Sequence, residues 1–230
     1  MEDKSDVKLL SSWASPFCMR VILALEYKGI KYEIMEGDKL NQNEFLQQCN
    51  PAVNKAPVLI HNGKAIPESL IILEYIDETW PSHNGLDLLP KDPYARALAR
   101  FWGDFIDKKI LSIVGGIVKT KGKDQEKAKV ELVEEFIRLD NTLATISLGQ
   151  AFFSGDHMGF IDIVVAPYMP WLRAVEQMVN LKLPDSSKCP HMNHWMDKMY
   201  DHPCVRKALE QPDKLLDYAK SLRKRNFGSV

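Results

Sequence analysis

The sequence predicts an α/β segment of order β-α-β-α-β-β-α followed by an all-α bundle. Three observations predict it. Val58-Leu59-Ile60-His61, Asn62-Gly63 and Lys64-Ala65-Ile66 carry a hairpin signature, because Asn-Gly supplies the positive φ angles that a two-residue type I′ turn requires. The apolar run Val7 to Trp13 leads through Ser15-Pro16-Phe17-Cys18 into an amphipathic run, Met19 to Tyr27, which reads as strand, tight turn and helix. From Asp92 to Arg225 the periodic stretches all have helical spacing.

Taken in order, Val7 to Ser11 reads as a strand. Phe17 to Lys28 reads as a helix with Val21, Ile22 and Leu25 on one face and Gly29 as its stop. Lys31 to Met35 alternates and follows that glycine, so it is a second strand. Asn43 to Cys49 is a short helix ended by Pro51. The hairpin follows, and Glu68 to Thr79 is a helix whose buried stripe is Leu70, Ile71, Leu73, Tyr75 and Ile76. Pro81 to Pro90 is rich in turn formers and reads as a linker. Asp92-Pro93 then opens a helix, with Asp as N-cap and Pro at the first helical position. Helices are expected over Ala95–Val118, Asp124–Ser147, Ile161–Leu181, His191–Tyr200 and Val205–Tyr218. The third of these is almost wholly apolar, so it is expected in the middle of the bundle, bent by Pro167 and Pro170.

The chain has 230 residues, 45% of them hydrophobic and 27% charged. That is enough for the core of one large or two small domains. The net charge of −1 supplies no basic field, so neither nucleic acid nor membrane is expected as a partner. Lys119-Thr120-Lys121-Gly122-Lys123 and Arg223-Lys224-Arg225 read as solvated helix ends. The four cysteines, Cys18, Cys49, Cys189 and Cys204, form no Cys-x-x-Cys pair. They read as free thiols of a reducing compartment. Met1 to Asp6 is polar and the apolar stretch Ile161–Leu172 is short and interrupted, so no signal peptide or membrane span is expected. The expected location is the cytosol. No metal site is expected.

Ser15 stands where a redox dithiol motif would have its first cysteine. A cysteine there attacks disulfides; a serine can only hydrogen-bond. Ser15 before Pro16 also suits an N-cap, and a hydroxyl beside orphan N–H groups suits an anion. No Gly-x-Ser-x-Gly is present, which argues against a serine-triad nucleophile. Glu68-Ser69 opens a helix, where an acid and a hydroxyl suit the dipole; the pair also suits an ammonium and a carboxylate. Lys55 suits a second carboxylate. Pro57 enters a strand, where proline is tolerated. Cys18, one turn into its helix, reads as a small semi-buried residue, with a redox role as the alternative.

Ser15-Pro16-Phe17, Asn50-Pro51, Lys55-Ala56-Pro57 and Glu68-Ser69 followed by Ile72-Leu73-Glu74-Tyr75-Ile76-Asp77-Glu78-Thr79-Trp80 resemble the plant tau-class glutathione transferases. Trp13-Ala14-Ser15-Pro16-Phe17 and the Glu-Tyr-Ile-Asp-Glu-Thr-Trp run are specific to that class. The similarity continues through Phe101-Trp102, Phe152-Phe153-Ser154-Gly155-Asp156 and Gly159-Phe160-Ile161-Asp162-Ile163, over nearly the whole chain. The resemblance implies a thioredoxin-like N-terminal domain (1–83), a linker (84–91) and an all-α helical-bundle C-terminal domain (92–230) that carries the hydrophobic-substrate site. It implies a homodimer with glutathione as co-substrate and no other cofactor.

By the same resemblance, Ser15 donates to the glutathione sulfur. Phe17, Arg20, Lys55, Ala56, Glu68 and Ser69 fall on glutathione-site positions, with Ala56 acting through its backbone ahead of a cis Pro57. Asp162 falls on the helix-capping position of the C-terminal core. Leu111, Gly115 and Val118 fall where the family often has Tyr, Arg and Trp, which implies a less polar site for a hydrophobic electrophile. Three other departures stand out: Gln42 for Lys, Pro67 for a small residue, and Gly159 for Ser or Thr, which implies a weaker cap. The implied activity is transfer of alkyl or aryl groups to glutathione sulfur, with peroxide reduction as a side activity. A non-catalytic carrier of hydrophobic ligands is the alternative.

Overall fold

A computed structural model describes residues 6–36, 42–82 and 87–227. The chain divides into two compact units, 1–88 and 89–230. Residues 84–86 of the expected linker, and the side chain of Gln42, lie outside the described residues.

The first unit runs β1 (Val7–Ser11), α1 (Pro16–Tyr27), β2 (Glu33–Glu36), α2 (Gln42–Cys49), β3 (Val58–His61), β4 (Lys64–Pro67) and α3 (Ser69–Thr79). The order matches the expected β-α-β-α-β-β-α. The sheet order is β2-β1-β3-β4. β1 runs parallel to β2, while β1–β3 and β3–β4 are antiparallel. A parallel pair needs a crossover, and α1 supplies it. Asn62 and Gly63 have φ of 50° and 74°, the left-handed pair that closes the β3–β4 hairpin. Strand residues alternate between faces. Leu10, Val58 and Ile60 cluster on one face, with Met35 of β2 and Leu46 and Cys49 of α2 packed against them. Leu9 and Leu59, on the opposite face, are fully buried, as are Val21, Leu23 and Leu25 of α1 and Ile72, Leu73 and Ile76 of α3. β2 begins at Glu33, two residues later than the alternation suggested.

Lys28, just past the end of α1, has a buried ammonium. It lies 2.8 Å from Asp77 Oδ1 and donates to Ser82 Oγ at 3.0 Å and the Trp80 carbonyl at 3.2 Å. This ties the end of α1 to the end of α3, across 49 to 54 positions of sequence, a link that no local pattern announces.

The second unit is all helix: α4 (Pro93–Lys119), α5 (Gly122–Ile146), α6 (Phe160–Val165), α7 (Tyr168–Val179), α8 (Pro190–Asp201), α9 (Pro203–Ala208) and α10 (Pro212–Phe227). Asp92 caps α4, accepting from Ala95 N at 2.8 Å. The basic run at 119–123 is the junction of α4 and α5, as expected. Two helices expected to be continuous are divided. Ile161–Leu181 breaks at Pro167, which lacks the N–H that α6 would need to continue. Pro170 falls in the first turn of α7, where a missing N–H costs nothing. Val205–Tyr218 is likewise split, because Pro212 starts α10 as a new helix. α6 is buried along its whole length. At Gly103 an added Cβ would stand 2.9 Å from the Phe160 ring, so a glycine is needed where α4 meets α6.

Candidate functional site

The register of the sheet gathers the expected site residues at one edge. Leu10 pairs with Val58, and Val58 pairs with Pro67. The exit of β1, the entry of β3 and the exit of β4 therefore lie side by side. The chain segments leaving that edge carry Ser15, Lys55-Ala56-Pro57 and Glu68-Ser69.

Ser15 is the N-cap of α1. Its Oγ accepts from Cys18 N at 3.4 Å, and the residue is half-buried. Its own O–H lies within reach of the Cys18 sulfur and can turn to that or to another acceptor. Pro16 opens the helix without wasting an N–H. Cys18 is fully buried, and its sulfur accepts from Ser12 N at 3.3 Å. Burial pushes its thiol above the ordinary range, against the lowering effect of its hydrogen bonds with Ser15 and Ser12. A redox cysteine needs the reverse, an exposed and acidic thiol. The alternative role for Cys18 therefore loses its physical basis.

The Ala56–Pro57 bond is cis. Asn50, buried to 3% exposure, organises the loop before it: its Nδ2 donates to the Lys55 carbonyl at 3.1 Å and its Oδ1 accepts from Val53 N at 3.3 Å. Lys55 is exposed and Ala56 half-buried. Asn50 stood in the sequence only as part of a motif; the carbonyl it holds is five residues away and gave no sequence signal.

Glu68 is exposed and adopts φ 71°, ψ 113°. This left-handed φ is unfavourable for a side chain with a Cβ. It delivers the chain from β4 into α3, with Pro67 as the last residue of the strand. Ser69, the first residue of α3, is buried, and its Oγ accepts from Arg20 Nη1 at 3.2 Å. As at Ser15, the acceptor role is taken and the hydroxyl proton is left to donate. Arg20 has no exposed surface, and its guanidinium carbon lies 5.2 Å from the centre of the Phe17 ring. Arg20 was expected on the ligand. The structure buries it and sets it against Ser69. Phe17, Arg20 and Ser69 thus form one direct chain of contacts, joining helices 49 residues apart.

In the second unit, Leu111, Gly115 and Val118 lie on one face of α4 at helical spacing. Leu111 is exposed, Gly115 half-buried and Val118 buried. An added Cβ at Gly115 would meet no atom within 4 Å, so there is free space where the sequence has a glycine.

Asp162 is fully buried in the first turn of α6. Its Oδ2 accepts from Gly159 N at 2.9 Å; its Oδ1 accepts from Phe153 N at 2.9 Å and from Trp195 Nε1 at 2.7 Å. Burial raises its pKa to about 6, with the hydrogen bonds pulling against that rise. Gly159 has no side chain to return the bond, so only half of a capping box is made, as its identity implied. Trp195 and Phe153 instead add two donors to the Asp162 carboxylate. Phe153 stood in the sequence only as part of a motif, and Trp195, 33 residues away, was not marked at all.

Among the described residues no group of three or more His, Cys, Asp or Glu side chains is placed to hold a metal ion. No helix among them is long and apolar enough to cross a membrane.

Residues 5–78 match the glutathione S-transferase N-terminal domain, and residues 96–203 match the glutathione S-transferase C-terminal domain. The chain belongs to the glutathione S-transferase family. It is 39% identical to glutathione S-transferase U17 of Arabidopsis thaliana over 219 residues, 95% of this chain and 96% of that one. It is 45% identical to a probable glutathione S-transferase of Nicotiana tabacum over 93% of this chain and 92% of the other. Its fold superposes on the tau-class glutathione S-transferase of mango, Mangifera indica, with a TM-score of 0.88 at 37% identity, covering 94% of this chain and 98% of that one. A rice glutathione S-transferase solved in complex with glutathione gives the same TM-score at 31% identity, covering 99% and 100%. The chain is a tau-class member, and its first unit is the thioredoxin-like domain of that family. As a glutathione transferase it takes glutathione as co-substrate.

Proposed function

We propose that this glutathione transferase acts through Ser15, whose hydroxyl donates to the sulfur of bound glutathione and holds it as thiolate for attack on a hydrophobic electrophile. The observation that carries the proposal is the Ser15 cap, a half-buried hydroxyl at the start of α1 that accepts from Cys18 N and whose proton, within reach of the Cys18 sulfur, can turn to a ligand anion. A free thiol of pKa about 8.5 is only a few per cent ionised at neutral pH. Lowering that pKa by about two units requires about 2.7 kcal/mol of preference for the charged form. One hydrogen bond to a charged group contributes about 1.5–3 kcal/mol, and the N-terminus of α1 adds about 0.3–1 kcal/mol. The serine and its helix therefore suffice without a general base.

The rest of the sheet edge suits the ends of the tripeptide. Glu68 suits the ammonium group. The Ser69 hydroxyl, fixed by Arg20 on Phe17, suits the adjacent carboxylate. Lys55 suits the glycine carboxylate, and the Ala56 backbone, turned by cis Pro57, suits the cysteinyl amide. The electrophile lies along Leu111, Gly115 and Val118, where the free space beside Gly115 favours bulky apolar groups. Residues 1–83 bind glutathione in this reading and residues 92–230 carry the electrophile site; peroxide reduction uses the same thiolate. The working form is a homodimer in the cytosol, on its resemblance to the tau class.

The test is Ser15→Ala assayed with an aryl halide electrophile. Turnover should fall about a hundredfold, as for loss of one donor to a developing anion, with the KM for glutathione changed much less. Unchanged turnover would sink the proposal.

A further inference from the structure

We infer that the helical unit carries a docking surface for an anionic lipid bilayer, formed where the α4–α5 junction meets the end of α10. Two basic runs far apart in sequence share that place. Lys121, the N-cap of α5, holds its Nζ 4.6 Å from the centre of the ring of Phe227, the last residue of α10. That contact sets Lys119, Lys121 and Lys123 beside the run Arg223, Lys224 and Arg225. Arg223 is half-buried and the others are exposed. The inference goes beyond the Ser15 chemistry and does not rest on it.

The ordinary role of such cations is to offset helix dipoles, and here it accounts for little. A helix C-terminus carries about half a negative charge and an N-terminus about half a positive one. The ends of α4 and α10 and the start of α5 together therefore call for about half of one charge. Carboxylates take little more. Among the described residues none of these lysines and arginines stands within ion-pair distance of an acid. Asp217 pairs with Lys220 at 3.8 Å and Glu126 with Lys129 at 2.8 Å, so in these turns Asp124 is left to offset one charge. About four positive charges stay uncompensated.

The chain as a whole has a net charge of −1, so this is a local pole that the sum conceals. Clusters of about four to eight Lys and Arg on an amphipathic helix recognise bilayers that carry anionic lipid. α10 has that form, with Leu215 and Ala219 buried and the cations in its last turns. Phe227, 39% exposed among them, supplies the apolar group that settles at headgroup level beside basic residues. A single-stranded nucleic acid would call for a row of aromatic side chains on which successive bases stack, whereas these two runs hold one aromatic, Phe227.

The test is sedimentation of the full chain with vesicles of phosphatidylcholine, alone or mixed with phosphatidylserine. The chain should pellet with the mixed vesicles and not with the neutral ones. Raising salt from about 0.1 M to about 1 M, which shortens the Debye length from about 10 Å to about 3 Å, should release it. Each cation near an anionic surface contributes about fivefold to binding. Lys121→Glu with Lys123→Glu, and separately Lys224→Glu with Arg225→Glu, should therefore each weaken binding at least about 25-fold. Phe227→Ala should weaken it without changing the salt dependence. Lys64→Glu with Lys91→Glu, the same change in net charge at exposed positions elsewhere, should leave binding within about twofold. Equal pelleting with neutral vesicles overturns the inference, as does a loss in the control pair as large as in the patch pairs. Release by soluble glycerophosphoserine at the headgroup concentration overturns it too, since a free phosphate would then be the ligand. So does failure to bind the mixed vesicles, including the case in which single-stranded RNA or polyglutamate binds through the same lysines.

Discussion

Two helix starts in this chain use the same device to opposite ends. At α1, Ser15 accepts a single long bond, 3.4 Å from Cys18 N, and stays half-buried, with a proton that can turn from the Cys18 sulfur to a ligand. At α6, Asp162 is sealed from solvent and accepts from three donors, the longest bond being 2.9 Å. A cap that is fully satisfied can only stabilise. A cap with a donor left over can also bind an anion. The difference teaches where stability and chemistry separate: closure of the hydrogen-bond set marks the structural cap, and incompleteness marks the reactive one.

The comparison breaks first at Asp162. Asp162→Ala strands three buried donors, Gly159 N, Phe153 N and Trp195 Nε1, and should cost on the order of 4 kcal/mol in urea unfolding, since each orphaned group costs about 1–3 kcal/mol. A loss below about 1 kcal/mol would mean that the hub is not structural. Ser15→Ala should leave folding nearly intact, losing about 0.5–1 kcal/mol as a cap, while turnover collapses. If Ser15→Ala instead unfolds the chain and Asp162→Ala does not, the two roles are reversed.

Protonation sharpens the contrast. Asp162 has a native pKa of about 6 against 3.8 for the free side chain, so the folded state binds its proton more tightly than the unfolded state. Its contribution to stability grows as pH falls through about 6 and is complete below about 4. The urea midpoint of wild type minus that of Asp162→Asn should therefore rise between pH 7 and pH 4.5. A flat difference would contradict the assigned shift. The smallest expected effect is at Gly115. A Cβ there meets nothing within 4 Å and the position is helical, so Gly115→Ala should stabilise by about 0.5–1 kcal/mol. Thermal unfolding checks this.

Local signals carried most of the fold. Asn62-Gly63 demanded its turn, Asp92-Pro93 demanded a helix start, and the run from Val7 to Tyr27 demanded strand, turn and helix. Prolines were legible as disturbances but not in their outcome. Pro167 breaks a helix because it lacks the N–H that α6 would need to continue, and Pro170 is harmless three residues later. Pro212 starts a helix inside a stretch whose apolar spacing reads as continuous. The site was legible as residue types, through Ser15, Lys55 and Glu68-Ser69. Its support was not. Arg20 reaches Ser69 across 49 positions, Trp195 reaches Asp162 across 33, and Lys28 reaches Ser82 across 54. Such bonds come from the tertiary fold, which periodicity and capping rules do not encode. The burial of Arg20 was not legible for the same reason.

The central claim is that the Ser15 hydroxyl, and not a general base, sets the ionisation of glutathione. The direct measurement is the ultraviolet absorbance of bound glutathione thiolate as a function of pH, in wild type and in Ser15→Ala. The account predicts an apparent thiol pKa near 6.5 in wild type, about two units below the free value, moving up by at least one unit in Ser15→Ala. The same low pKa in both proteins would contradict it.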